Sequence, residues 1–395
     1  MVEPMNRYLD IVLGCLLLLG VAGCATSPRK APFVPTGDPV ADGVARMERG
    51  EERDRVLWQY RTALTALRLG RREEAKPLLD SALARLQGLY GPDSEARRSR
   101  SYFAKESRKT FVGEPYERSM AYYYRGVLYW MDGELDNARA CFRSAQLMDS
   151  DVEDNRYAGD YVVMDLLDGW ATFRLGGDGV EAVGRAEGLA KRGKPPEYEA
   201  GNNVVIFAES GRGPGKYAAG EYGEQLKFRP GSSRAARVRV GVGGRWVEME
   251  PLDDLTFQAT TRGGRVMDHV LANKAVFKGA TDAAGNAAII GGAIMATQNN
   301  RNSAVDEVGA GLLVAGVLSK IISAATTPDA DVRVWDNLPQ YLYAGSMRLG
   351  VGEHRVRVEF LDVEGRVLEG VTREFVVKLG REGEDTVLFL SDQPQ

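Results

Sequence analysis

The sequence predicts an α+β protein. An N-terminal all-α half of helical repeats precedes a β-rich half that carries two small-residue helices. Three observations predict it. Alanines recur at Ala75, Ala138 and Ala182, each a few residues after a glycine turn (Gly70, Gly133, Gly176-Gly177). The double proline Pro195-Pro196 then ends the helical pattern. Beyond it, apolar and charged residues alternate, as in Val238, Val240 and Val242 between Arg237, Arg239 and Gly241. The 395 residues, 44% hydrophobic and 27% charged, make a globular chain of more than one ordinary domain. Lys plus Arg is 51 against 55 Asp plus Glu, so no positive excess points to nucleic acid. With 2 His and 3 Cys, zinc sites built on Cys pairs and disulfide scaffolds are excluded, and histidine catalysis has little room.

At the N-terminus, Arg7 precedes an apolar run from Ile11 to Val21, broken by Gly14, Cys15 and Gly20. The run is shorter than the roughly 18 residues a bilayer span needs, and it has the shape of a signal-peptide core. Asp10 departs from the usual charge pattern. The run ends in Val21-Ala22-Gly23-Cys24, which resembles a bacterial lipobox. That resemblance implies a signal peptide over 1–23, cleaved before Cys24, whose thiol then carries diacylglycerol. Ala25 follows where an Asp would signal inner-membrane retention, so an outer-membrane, periplasm-facing lipoprotein is expected. Residues 24–50 contain Pro28, Pro32, Pro35 and Pro39 and read as an extended, lipidated tether. Cys15 leaves with the signal, Cys24 is acylated, and Cys141 remains as a buried, inert thiol.

The repeat domain is expected over 51–193. Its best unit holds Tyr122, Gly126 and Tyr129 on a first helix, Gly133 in the turn, and Ala138, Phe142 and Ala145 on a second. This order resembles the tetratricopeptide repeat, with small residues where paired helices approach and aromatics between hairpins. Arg125 stands where the pattern has Leu, and Ser150 where it has Pro. An earlier hairpin carries Trp58, Tyr60, Leu64 and Leu67, then Ala75, Leu79 and Ala82; a later one carries Trp170 and Phe173, then Ala182, Ala186 and Leu189. The alanine separations exceed the ~34 residues of a regular array, so insertions lie between units. The larger insertion, 91–116, is basic and aromatic, with Arg97, Arg98, Arg100, Tyr102, Phe103, Lys105, Arg108, Lys109 and Phe111. Glu95 and Glu106 dilute its charge. It reads as a solvated connection, with a loop for an anionic partner as the alternative.

The β-rich domain is expected over 200–395. Val204 to Phe207 reads as a strand, and Ser210 to Tyr217 follows it with Gly215-Lys216. A phosphate loop would need Gly at 210 and Ser or Thr at 217, and Pro214 removes a backbone donor, so a flexible hairpin or loop is expected and no nucleotide. Residues 236–249 form a hairpin about Gly243-Gly244, and Leu255 to Phe257 a third strand. Val266 to Phe277 has helical spacing and carries His269. Two Gly/Ala-rich stretches, 287–296 and 308–325, flank a polar segment. They read as closely packed helices, because the first is too short to span a bilayer and Lys320 interrupts the second; a membrane-inserted hairpin is the alternative. From Asp331 on, strands return at 341–348, 354–360, 371–378 and 386–390.

Three stretches resemble an uncharacterised family of Gram-negative tetratricopeptide-like outer-membrane lipoproteins. They are Thr110 to Arg118 leading into Ala121 to Gly126, Asp331 to Pro339 with its Asp-x-Arg-x-Trp-x-x-Leu-Pro order, and Gly352-Glu353-His354. The resemblance implies a lipid-anchored chain of helical repeats plus a β domain, with no catalytic residues to transfer. It also implies an association with lipoproteins that activate peptidoglycan synthases. A non-catalytic, protein-binding scaffold is therefore expected, with envelope proteins as partners, a membrane reached through the lipid, and no cofactor, metal, nucleotide or nucleic acid. Two other readings stand beside it. One is a carboxylate-dependent cell-wall hydrolase using Asp253, Asp254, Asp331 and Asp336, since glycoside hydrolysis needs two carboxyl groups in one cleft and no His. The other is a structural part of an envelope oligomer, motivated by the Gly-rich stretches.

Overall fold

Helices begin earlier than the proline count suggests. The structure, a computed structural model, describes residues 33–90, 109–150, 158–261, 330–380 and 385–393. Helix α1 (Pro39–Arg49) occupies the end of the segment expected to be an extended tether. The Asp38 carboxylate accepts from Val40 N at 2.9 Å, and Pro39 sits in the first turn, where its fixed φ suits a helix and no N–H is missed. Proline there starts a helix and does not extend a linker. Cys24, the lipobox residues, the basic stretch 91–108, His269 and the Gly/Ala-rich stretches lie outside the described residues.

Three helical hairpins follow: α2 (Arg55–Arg68) with α3 (Arg72–Tyr90), α4 (Pro115–Met131) with α5 (Leu135–Asp149), and α6 (Val162–Arg174) with α7 (Val180–Leu189). Each turns on a glycine with positive φ: Gly70 at 71°, Gly133 at 77° and Gly176 at 78°. Ala75, Ala138 and Ala182 are buried, as the spacing predicted. Gly126 is needed because Phe142 of the partner helix lies over it; a Cβ there would stand 2.6 Å from the Phe142 ring. Arg125, out of pattern, is put to use: its guanidinium pairs with Asp80 of α3 at 2.6 Å and stacks on Tyr129, joining the first hairpin to the second.

Helix α4 is buried along almost its whole length, so it is the central rod of the helical layer. Its polar residues accordingly find partners. Ser119 donates to the Ala145 carbonyl at 2.8 Å and Arg118 to the Gly113 carbonyl at 2.9 Å.

The β half holds strands β1 (Val204–Ser210), β2 (Gly215–Ala219), β3 (Gln225–Arg229), β4 (Arg237–Val242), β5 (Arg245–Met249), β6 (Asp253–Asp254), β7 (Tyr341–Met347), β8 (Gly352–Leu361), β9 (Arg373–Leu379) and β10 (Thr386–Ser391). One sheet runs β10-β1-β7-β6, with β1 and β10 parallel and its other pairs antiparallel. A second, antiparallel sheet runs β5-β4-β8-β9, and β2-β3 is a separate hairpin. Leu255 to Phe257, expected as a strand, opens a short helix, α8 (Leu255–Thr260), which Asp254 caps by accepting from Thr256 N and Phe257 N. Asp331 to Trp335, expected to open a return to strands, joins no sheet.

β1 shows why the layers stack as they do. Its seven residues are all buried. Val205 and Phe207 face the helices, while Val204, Ile206 and Ala208 face the second sheet. A strand buried on both faces is continuous in apolar residues, which is how Val204-Val205-Ile206-Phe207 reads. The molecule is therefore three layers: helices, first sheet, second sheet. Residues from Gly37 on belong to one compact unit, and one core runs from the helices into β1, β7 and the 335–338 segment. At Pro195 the secondary structure changes type while the core continues.

Candidate functional site

Two of the three motif stretches meet. Glu114 and Glu117 form a capping box at the start of α4, with Glu117 accepting from Glu114 N at 2.7 Å. The same Glu117 carboxylate, fully buried, accepts from Trp335 N at 2.7 Å and from Lys216 Nζ at 2.5 Å. Lys216 also donates to the Arg333 carbonyl at 2.9 Å. Trp335 stacks on Tyr60 of α2 with ring centroids 4.5 Å apart. Arg333 lies over Phe111, pairs with Asp54 and Asp331 at 2.7 Å each, and donates to the Lys109 carbonyl. Asp336 pairs with Arg61 at 2.9 Å, and Asn337 donates to the Arg61 carbonyl at 3.0 Å. Arg333, Trp335, Asp336 and Asn337 thus tie the crossing segment to the helical half, while Asp331 braces Arg333 from within the segment. A flexible hairpin or loop was expected at 210–217; Gly215-Lys216 opens strand β2 of the β2-β3 hairpin, and the Lys216 side chain is anchored. Gly352-Glu353-His354 lies apart, on β8, with His354 Nε2 2.7 Å from the Gly350 carbonyl.

A second buried ion pair crosses the same layers. Glu209 of β1 accepts from Arg68 of α2 at 2.6 Å and from the Tyr124 hydroxyl of α4 at 2.7 Å. Buried pairs of this kind add little net stability but exclude other docking geometries, since removing one partner leaves a stranded charge.

The four candidate hydrolase carboxylates are each engaged by other groups of the chain. Asp253 Oδ1 and Oδ2 accept from Val162 N at 3.0 Å and Val163 N at 2.8 Å, so this carboxylate caps α6 from across the layer boundary. Burial, reinforced by Asp160 and Asp165, pushes its pKa up to about 7, against the pull of those two N–H donors. A carboxyl titrating near neutrality suits a general acid, but both of its oxygens are committed to backbone and shut from solvent. Asp254 caps α8 and pairs with Arg192 and Gln340. Asp331 and Asp336 hold Arg333 and Arg61 as above. Burial drives the Cys141 thiol up to about 12, which suits an inert core residue and not a nucleophile. Among the described residues no group of His, Cys, Asp and Glu could hold a metal ion, and no helix is long and apolar enough to cross a membrane.

Aromatic residues of α2 and α4 pack against the chain's own sheet and crossing segment. Tyr123 and Trp130 of α4 meet Phe207 edge-on, Tyr124 meets Phe389 of β10, and Tyr60 of α2 meets Trp335. The chain's own sheet and crossing segment fill the surface that stacked hairpins would offer. Sequence reasoning missed this, because alternation in a strand says which face is apolar and not what covers it.

An open groove of about 800 Å³ lies on the helical layer instead, between α5 and α7 with α6 as its floor. Its floor holds Asp165 and Asp168, which pair with Arg185 at 3.1 Å and Arg143 at 3.0 Å. The two acids are buried and the two guanidiniums are largely exposed. Phe142, Gly159, Gly188 and the exposed Glu181 also line it, and Glu181 pairs with Arg185 at 3.0 Å, which leaves Arg143 the less encumbered of the two guanidiniums. Of the sequence-predicted repeat residues, Phe142 alone reaches this groove; Tyr122, Gly126, Ala138 and Ala145 are packed inside the layer, Tyr129 lies under Arg125 and Gly133 is in the turn. No family model matches the chain, and neither a curated protein nor a solved structure does.

Proposed function

We propose that this chain is a lipid-anchored envelope scaffold that binds a protein segment and performs no chemistry, with its hairpins read as tetratricopeptide-like repeats. The α5–α6–α7 groove carries this reading. It is of a size that holds a ligand segment, its walls are built from three helices, and its exposed Arg143 and Arg185 are oriented by buried acids. Orientation by a buried partner lowers the entropy a guanidinium loses on binding, so the pair is suited to an acidic side chain or a chain terminus. The commitment of Asp253, Asp254, Asp331 and Asp336 to caps and ion pairs favours this reading over a carboxylate hydrolase.

Photo-crosslinking from position 146 on the α5 wall of the groove, in intact cells, tests it. A discrete crosslinked protein that is lost on Arg143→Glu with Arg185→Glu supports the scaffold. Equal crosslinking in the charge-reversed chain, or none from the groove, rejects it. The anchor has its own test: Cys24→Ser removes lipid labelling and membrane fractionation together if the lipobox is used.

A further inference from the structure

The two sheets end side by side at β9 and β10, each the last strand of its sheet and paired on one edge. Between them and the α2–α3 turn lies a cleft of about 560 Å³. Val358, Phe360, Phe375, Phe389 and Leu67 supply apolar wall. Volume and lining fall in the range of small-molecule sites, which run from about 300 to 1,000 Å³.

Its basic groups stand out. Arg373 pairs across the sheet with Val358, so it sits on the inner, apolar face of β9, where Phe375 and Val377 follow at alternate positions. Its guanidinium reaches over to the Gln393 carbonyl beyond β10, at 2.9 Å, and bridges the gap between the two sheet edges. Among the described residues neither Arg373 nor Arg72 at the mouth has a carboxylate partner, whereas Arg68, deeper in, is matched by Glu209. Glu374 also lines the cleft, and its charge is taken by Arg357 at 3.1 Å. Burial holds the Arg373 pKa below the ordinary guanidinium value, against the weaker opposing pull of Asp392, which lies outside ion-pair distance. An inward charge on an edge strand can serve to block strand addition. That role needs no second unpaired arginine and no apolar cavity behind it.

We propose that this cleft binds an anionic amphiphile, with the hydrocarbon chain between Phe360, Phe375 and Phe389 and the carboxylate or phosphate head on Arg373 and Arg72. The apolar wall answers the chain, and the half-buried guanidinium answers the head, since a charge-assisted pair is strongest where water is excluded. The site is independent of the groove on the helical layer and does not rest on the scaffold reading.

Calorimetric titration of the full chain carrying Cys24→Ser, in detergent-free buffer, decides the matter. The probes are laurate, dodecyl phosphate, dodecanol and acetate. Laurate or dodecyl phosphate is expected to bind, with the tighter of the two naming the head group. Dodecanol is expected to bind at least about tenfold more weakly, about 1.4 kcal/mol, and acetate not at all. Arg72→Gln lies at the exposed mouth and leaves the fold intact; with Arg373→Gln it is expected to erase the preference for the charged probes and leave dodecanol unchanged. Phe375→Asp is expected to abolish binding of every probe, with the circular dichroism spectrum reporting that the chain is still folded. Binding of dodecanol as tight as laurate, charged-probe affinity unaltered in the Arg variants, or no binding by any probe overturns the proposal.

Discussion

Asp253 makes the stability of this protein depend on pH in an unusual direction. Its carboxyl has an ordinary value of 3.8 and is held at about 7 in the fold, first by burial and then by Asp160 and Asp165. Between those two values the folded chain keeps a proton that the unfolded chain has released. Unfolding free energy therefore falls as pH rises from about 4 to about 7, and the contribution is complete below the lower value. About three pH units at roughly 1.4 kcal/mol each make the swing about 4 kcal/mol. Asp253→Asn removes the charge; its single amide oxygen keeps only one of the two bonds from Val162 N and Val163 N, a loss that does not vary with pH, so the pH-dependent part of the gap is what reports the carboxyl. Urea denaturation followed by circular dichroism at pH 4.5, 6, 7 and 8 measures it. The variant should be no more stable than the parent at pH 4.5 and should overtake it by pH 8, with the gap changing by up to about 4 kcal/mol. Asp392, also raised by burial, titrates in both proteins and cancels in the difference, whereas Asp160 and Asp165 are coupled to Asp253, so the measured swing belongs to the three carboxyls together. A gap that stays constant over this pH range would refute the assignment of a neutral, buried Asp253 below pH 7.

Other outcomes follow from single contacts. Lys216→Met strands the buried Glu117 carboxylate and should cost about 3–5 kcal/mol, and adding Glu117→Gln should recover part of that loss; additive losses in a double-mutant cycle would mean the pair is not coupled. Gly126→Ala places a methyl 2.6 Å from the Phe142 ring and should destabilise by about 1–3 kcal/mol, with Phe142→Leu in the same chain relieving it. Cys141, with its thiol raised to about 12, should resist a thiol reagent at pH 8 in the folded protein and react at once in denaturant; rapid reaction of the folded chain would show that the helix pair around it opens.

Local signals in this chain were read where the cause is local. Glycine followed by alanine marked each hairpin, because a left-handed turn and a close helix approach both demand a particular small residue. Alternation marked β4 and β8, because one face of a sandwich sheet is wet. Misreadings came where a neighbour in sequence changes the meaning of a residue. Asp38 turned Pro39 from linker residue to helix start, and Asp254 turned Leu255 to Phe257 from strand to helix. In both cases a carboxylate satisfies N–H groups at a helix start.

Composition and spacing by themselves determined that helices precede strands, that small residues separate paired helices, and that Cys141 is a core residue. Only the tertiary structure decided what those helices face. Phe207 and Trp335 cover their inner surface, and Lys216 on β2 becomes the counter-charge of Glu117 ninety-nine residues away. The physical reason is that periodicity records whether a side chain avoids water, while the partner that shields it is chosen by packing between distant segments. The edge cleft is a product of that choice: it lies where the α2–α3 turn, β8, β9 and β10, remote in sequence, meet without filling the space between them.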